Sequence, residues 1–243
     1  MTQEQQWLLN EKYAGIESSE FRADCQRLAS GEPLAYVIGW IPFCKTKIFL
    51  DSHPLIPRAE TEFWVTKAIE DIRSQGLERP RVLDLCAGSG CIGIATLKAI
   101  PGATCDLVEI DIHHHETIRK NLIENNISPE RVQILGGSLF EQVSGNYDVI
   151  LTNPPYIDPI LSERIQKSVL AHEPDLALFG GVDGMDVVSE ILKQTPSYLK
   201  SGGILYIEHE PEQEIAIQKH LPGIISHPDQ YGLIRYSTYT KDE

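Results

Sequence analysis

The sequence predicts an α/β fold built on a mostly parallel sheet, and three observations carry that prediction. From Arg81 onward, short apolar strands alternate with helical segments, the pattern of repeated βα units. A glycine-rich run, Gly88-Ser89-Gly90-Cys91-Ile92-Gly93, separates the first of those strands from the first of those helices. Hydrophobic residues make up 42% and charged residues 23% of the 243-residue chain, enough apolar material for a sizeable core.

The elements follow in order. Trp7, Leu8, Phe21 and Leu28 have roughly helical spacing, so residues 1–30 read as one or two short helices, ended by Gly31-Glu32-Pro33. Residues 36–50 are rich in β-branched and aromatic side chains around Ile41-Pro42, which fits a small hairpin. Pro54 and Pro57 bracket a loop, and Phe63, Trp64, Ala68 and Ile69 mark an amphipathic helix over 61–75. Strands are then expected at 82–85, 106–110, 132–135, 147–151, 203–208 and 233–239. Helices are expected at 92–99, 116–125, 187–195 and 212–220. The chain thus divides into a short helical segment (1–31), a hairpin linker with its helix (32–75) and the α/β domain (76–243). Ligands of such sheets bind at the carboxyl ends of the strands.

Composition narrows the partners. Lys and Arg number 21 against 35 Asp and Glu, a formal charge of −14, and such a field repels a nucleic-acid backbone. The five cysteines, Cys25, Cys44, Cys86, Cys91 and Cys105, form no CxxC pair, which argues for a reducing compartment and against a cysteine-rich zinc site. Three consecutive histidines, His113 to His115, do not share a helix face and lack partners at ligand spacing; they read as a solvated helix start, and no metal is expected. No apolar run approaches the ~20 residues that span a bilayer. Residues 1–30 are polar and carry several acids, unlike a secretory or transit peptide. A cytoplasmic protein with no membrane contact is the expectation.

The glycine run matches GxGxxG, whose glycines allow a tight turn and close approach of a ligand to the backbone. Asp111 lies twenty-one positions past Gly90, where it would end the next strand and accept both hydroxyls of a ribose. The pair suggests an adenosine-type ligand, a reading shared with NAD and FAD enzymes. Asp84 separates the two: a D-x-x-x-G-x-G loop resembles the first motif of S-adenosylmethionine (SAM) methyltransferases, in which the loop meets the amino-acid half of SAM.

Asn153-Pro154-Pro155-Tyr156 follows the fourth of the α/β-domain strands, near the same crevice. Proline has a fixed φ and no N–H, so the turn is stiff and its carbonyls are free acceptors. The Asn153 side-chain oxygen and the Pro154 carbonyl can both accept from one planar –NH₂ group. Tyr156 offers a flat wall for a planar substrate or for a sulfonium. An amide nitrogen, or the amino group of adenine or cytosine, is a poor nucleophile because its lone pair is delocalised. Two acceptors can favour a more pyramidal nitrogen and aim its lone pair at a methyl donor, so that positioning and electrostatics supply catalysis.

With both motifs placed, the chain resembles the HemK/PrmC family, the N5-glutamine methyltransferases of class I peptide-chain release factors. The resemblance runs from Glu32-Pro33-Leu34-Ala35-Tyr36 through Ile56-Pro57-Arg58-Ala59-Glu60-Thr61-Glu62, the glycine loop and Asn153-Pro154-Pro155-Tyr156. It continues through Glu173-Pro174 and Gly180-Gly181-Val182-Asp183-Gly184 to Glu208 and Gln213. It implies a Rossmann-like SAM-dependent methyltransferase fold, a seven-stranded sheet with its last strand antiparallel. It further implies SAM as methyl donor, a release factor as protein substrate, a monomer, and no direct nucleic-acid contact. Carried over by position, Asp84, Cys86, Ala87, Gly88, Ser89, Gly90, Asp111, Leu139 and Asn153 would hold SAM. Asn153, Pro154, Pro155 and Tyr156 would hold the glutamine amide, with Phe43, Arg58 and Glu60 bordering it. Ala59 stands where the family has a second proline, and Ser138 where an acid near the adenine is common. About 30 residues precede Glu32, against a family helical domain of roughly 70, so docking is expected to rest on the hairpin and the Arg58 loop. The alternative that shares the Asn-Pro-Pro-Tyr run is an adenine-N6 methyltransferase acting on DNA or RNA, which the charge of −14 and the lack of an inserted recognition domain disfavour. A non-catalytic SAM-fold binding module would not need Asp84, Asp111, Asn153 and Tyr156 together.

Overall fold

The computed structural model describes residues 1–242. Two helices open the chain, α1 (Gln3–Tyr13) and α2 (Ser19–Ala29), followed by the short α3 (Leu34–Ile38). Thr2 starts α1 with a reciprocal cap: its hydroxyl accepts from Gln5 N–H while the Gln5 side chain accepts from Thr2 N–H. These helices bury Leu8, Leu9, Phe21 and Val37 in a small core of their own. The sequence pattern puts Tyr36 in the hairpin, but it lies within α3, whose five residues follow Pro33 and end at Gly39 with φ +94°. The hairpin is shorter than expected: β1 (Trp40–Phe43) pairs with β2 (Thr46–Phe49) across Cys44 and Lys45, both at positive φ.

The helix α4 (Ala59–Ser74) leads into β3 (Arg81–Leu85), α5 (Cys91–Ala99), β4 (Thr104–Glu109), α6 (His114–Glu124), β5 (Val132–Gly136) and β6 (Tyr147–Thr152). Two short helices, α7 (Lys167–His172) and α8 (Asp175–Leu178), lie in the long connection to α9 (Asp186–Tyr198). The strand β7 (Leu199–Glu208), α10 (Glu214–His220), β8 (Ile225–Pro228) and β9 (Ile234–Thr240) complete the described chain. The seven-stranded sheet has the order β5-β4-β3-β6-β7-β9-β8. Six strands share one direction, five of them paired directly with one another, and β9 runs antiparallel to its neighbours β7 and β8. From β3 the chain moves to β4 and β5 on one side and then to β6 and β7 on the other. The carboxyl end of β3 is therefore the switch point at which a crevice opens.

Each face of the sheet is covered. Trp64 and Ala68 of α4, Ile94 of α5 and Ile118 of α6 pack with the hairpin residues Phe43 and Ile48 on one face. Val188, Ile191 and Leu192 of α9 and Ile217 of α10 cover the other. The hairpin has an open edge at β2, and α6 closes it with two asparagines one turn apart. Asn121 Oδ1 accepts from Phe49 N–H at 2.7 Å and its Nδ2 donates to the carbonyls of Phe49 (3.0 Å) and Ser89 (2.9 Å). Asn125 accepts from Lys47 N–H (3.1 Å) and donates to its carbonyl (2.8 Å). The two amides thus stand in for a neighbouring strand, and Asn121 also ties the hairpin to the glycine loop.

Asn121→Ala should lower stability by about 3 kcal/mol, because a buried N–H and two carbonyls lose their partner. A urea melt with an unchanged midpoint would contradict the clamp.

Candidate active site

The site starts at the turn after β3. Cys86 (φ +58°), Gly88 (φ +55°) and Gly90 (φ +77°) all take left-handed backbone conformations, and Gly90 starts α5. Asp84 lies beneath this turn, fully buried: its Oδ2 accepts from Gly93 N–H at 2.8 Å, and its Oδ1 has no partner. Burial pushes its carboxyl up to about 7. Its place is in shaping the loop, where a Cβ on Gly93 would lie 3.0 Å from Oδ2. Ala87, Ser89 and Gly90 likewise form the buried frame of the turn, while Cys86 and Gly88 face the cavity above it.

That cavity has an empty volume of about 830 Å³, including space open to solvent. Asp111 lines it, but does not end β4 as the spacing suggested. The strand ends at Glu109, paired with Gly136, and Asp111 sits two residues further on, its Oδ1 accepting from His113 N–H at 2.9 Å. Glu109 is not among the residues that the sequence motifs single out. Its buried carboxylate accepts from Gly88 N–H (2.7 Å) and Asp111 N–H (2.8 Å), joining the two halves of the crevice, and it also lines the cavity. The signal for it was present: an acid at an alternate position from Asp111, inside the strand's apolar run. His114 also departs from the solvated helix start expected for the three histidines. It is buried, its Nδ1 lies 2.8 Å from Ser52 Oγ, it borders the cavity, and burial lowers its basicity. Leu139 (φ +47°) and Ser138 form the opposite lip.

A second cavity adjoins the first. Arg58, Pro154 and Tyr156 line it, and Asn153, Leu55 and Ala177 border both cavities. Pro155 faces the first cavity. Arg58 is held in place by the buried Glu173, whose Oε1 accepts from its Nη2 at 2.6 Å while Oε2 accepts from Ile56 N–H at 3.1 Å. Two expected border residues are elsewhere. Phe43 is 1% exposed in the core under the hairpin, because its strand turns that face toward α4. Glu60 lies in the first turn of α4 and lines neither cavity.

Behind Asn153-Pro154-Pro155-Tyr156 stand the Gly180–Gly184 run and Gln213. A Cβ on Gly180 would come 2.5 Å from the Pro155 carbonyl, and one on Gly184 would overlap the Tyr156 carbonyl. Gln213 Nε2 donates to the carbonyls of Tyr156 (2.8 Å), Asp183 (3.1 Å) and Gly184 (3.1 Å). Glu208, at the end of β7, is 1% exposed. Its Oε1 accepts from Tyr156 Oη at 2.9 Å, and its Oε2 from Thr61 Oγ1 and Trp64 Nε1, each at 2.7 Å. Burial holds its carboxyl above the usual range, and the three donors offset only part of that rise. Asn153 Nδ2 donates to Thr61 Oγ1 at 3.2 Å. Among the described residues no donor reaches Asn153 Oδ1 or the Pro154 carbonyl, so both remain available as acceptors. No cluster of three metal-ligating side chains occurs among the described residues, and no helix there is long and apolar enough to cross a membrane.

The sheet order and this double cavity at its switch point define the fold of SAM-dependent methyltransferases. The solved ribosomal protein L11 methylase of Lactobacillus delbrueckii shares it, with a TM-score of 0.57 at 17% identity over 79% of this chain and 83% of that one. A T. thermophilus 16S rRNA methyltransferase in complex with AdoMet and guanosine has a TM-score of 0.58 at 17% identity, over 83% of this chain and 49% of that one. Residues 68–174 match the methyltransferase small domain family. The release factor glutamine methyltransferase of Bifidobacterium longum is 34% identical over 203 residues, 79% of this chain and 69% of its own length. The ribosomal protein uL3 glutamine methyltransferase of Bordetella pertussis is 32% identical over 190 residues, 78% of this chain and 63% of its own. The chain belongs to the release factor glutamine methyltransferase (HemK/PrmC) family.

Proposed function

We propose that this enzyme transfers the methyl group of SAM to the side-chain amide nitrogen of a glutamine, the one in the Gly-Gly-Gln tripeptide of a class I release factor. The observation that carries this reading is the position of Asn153 on the border of two adjoining cavities, with its Oδ1 and the Pro154 carbonyl free to accept. The first cavity suits SAM. Its left-handed turn lets a ligand approach Cys86 and Gly88 closely, and Glu109 and Asp111 offer carboxylate oxygens to ribose hydroxyls. A Cβ on Gly88 would meet only Pro54, at 3.9 Å. The second cavity, open past Arg58 and Tyr156, suits the glutamine side chain.

SAM supplies an electrophilic methyl on a positive sulfur. The chain supplies orientation. Asn153 Oδ1 and the Pro154 carbonyl accept the two amide hydrogens, and the nitrogen lone pair is left pointing across the junction. The new N–C bond forms as the S–C bond breaks, and sulfur keeps the electron pair. The amide proton leaves once methylation has made the nitrogen acidic. No side chain has to act as a covalent nucleophile. Six relatives named release factor glutamine methyltransferase, and the Bordetella relative named for uL3, all carry glutamine as acceptor in their names. Incubation with labelled SAM and, separately, a release factor and uL3 tells the two acceptors apart; label on the release factor supports the proposal, and label on uL3 alone refutes it.

Asn153→Ala should slow methyl transfer by about 10²–10³, the usual cost of one preorganised hydrogen-bonding group, while SAM binding is retained. Transfer at the wild-type rate would remove Asn153 from the amide clamp. For the cofactor, Glu109→Ala should lose more SAM affinity than Asp111→Ala. Each loses ribose contacts worth about 1–3 kcal/mol, but Glu109 also holds the Gly88 N–H. Calorimetry showing the reverse order would assign the ribose to Asp111 instead.

A further inference from the structure

Asparagine has two orientations about its last side-chain bond, and only one presents an acceptor to the substrate amide. We infer that Thr61, held by Glu208, fixes Asn153 in the productive orientation and is therefore a positioning residue for methyl transfer. The inference rests on the reading of Asn153 as an acceptor for the substrate amide, and follows from counting protons along one chain of contacts. Trp64 Nε1 can only donate, and it donates to Glu208 Oε2. The single Thr61 hydroxyl proton has two places to go, Glu208 Oε2 at 2.7 Å or Asn153 at 3.2 Å. A hydrogen bond to a carboxylate is roughly twice as strong as one to a neutral amide, so the proton goes to Glu208. That leaves Thr61 Oγ1 as an acceptor toward Asn153. The Asn153 –NH₂ must then face Thr61, and its Oδ1 turns toward the cavity junction beside the Pro154 carbonyl.

The assignment holds with Glu208 ionised and also with a proton on its Oε1. A proton on Oε1 would face Tyr156 Oη and leave Oε2 an acceptor for Thr61 and Trp64. Thr61 is 1% exposed in the first turn of α4, so water has little access to supply a substitute acceptor. The sequence places Thr61 three residues after Arg58. The same turn that presents Arg58 to the substrate cavity therefore carries the residue that orients Asn153.

The test compares Thr61→Val, which keeps the shape and removes the acceptor, with Thr61→Ser, which restores it. With wild-type enzyme active on a release factor, Thr61→Val should lower kcat about tenfold or more and leave the SAM dissociation constant within about twofold. Thr61→Ser should recover most of the rate. Unchanged kcat in Thr61→Val, or a loss that serine fails to recover, overturns the positioning role. Wild-type enzyme that labels no glutamine overturns the reading beneath it, so the two failures are distinct. A measurement on the wild-type protein keeps the question open to test if the valine variant does not fold. In spectra of ¹⁵N-labelled asparagine side chains, assigned by the pair missing in Asn153→Ala, one Asn153 Nδ2 proton should exchange slowly with solvent. Two fast-exchanging protons contradict the Thr61 bond.

Discussion

One buried carboxylate holds the site together. Glu208 ends β7, an interior strand between β6 and β9, and receives hydrogen bonds from α4, through Thr61 and Trp64, and from the turn after β6, through Tyr156. An unpaired carboxylate at that depth would cost several kcal/mol, so the three donors are obligatory neighbours and not incidental ones. The constraint reaches in two directions. It pins the helix that follows the Arg58 loop onto the sheet, and it fixes the tyrosine and asparagine of the Asn-Pro-Pro-Tyr turn relative to each other. Gln213 braces the same turn from behind through the Tyr156 carbonyl. The end of the crevice beside Asn153 and Tyr156 is thus rigid because its polar groups are each other's partners.

The end beside the glycine turn uses a different acid. Glu109 binds two backbone N–H groups, one from the glycine turn and one from the residues leading into α6. It therefore sets the distance between the two walls of the crevice before any ligand enters. Left-handed backbone at Cys86 and Leu139, two non-glycine residues on those walls, is the kind of local strain that a binding site stores and the surrounding core sustains. The hairpin contributes through Asn121, whose amide joins β2 to Ser89 of the glycine turn. Three separate stretches of chain thus converge on one short loop.

Much of this was legible in the sequence, and what was missed has physical reasons. The alternation of strands and helices, the glycine turn and the Asn-Pro-Pro-Tyr turn are local patterns, and each fell at the strand end expected of it. The end of β4 was not legible, because Glu109, Ile110 and Asp111 put two acids at alternating positions and only pairing with Gly136 decides which one closes the strand. The three histidines read as solvated from their polarity, yet Ser52 reaches His114 from sixty-two residues away. Phe43 shows the opposite error. An aromatic that the family resemblance sets at the border of the site is claimed by the core, because the hairpin buries that face. No local pattern singles out Thr61, whose importance comes from a partner 147 residues distant. Long-range polar pairing is what one-dimensional patterns do not record.

The central claim is that a planar amide is gripped by two acceptors at the junction of the two cavities. A crystal structure of the enzyme with S-adenosylhomocysteine and a Gly-Gly-Gln peptide tests it most directly. The glutamine nitrogen should lie about 3 Å from both Asn153 Oδ1 and the Pro154 carbonyl, with the cofactor sulfur on the side of Glu109. A glutamine side chain bound away from Asn153, or a cofactor seated in the cavity beside Arg58, would contradict the account.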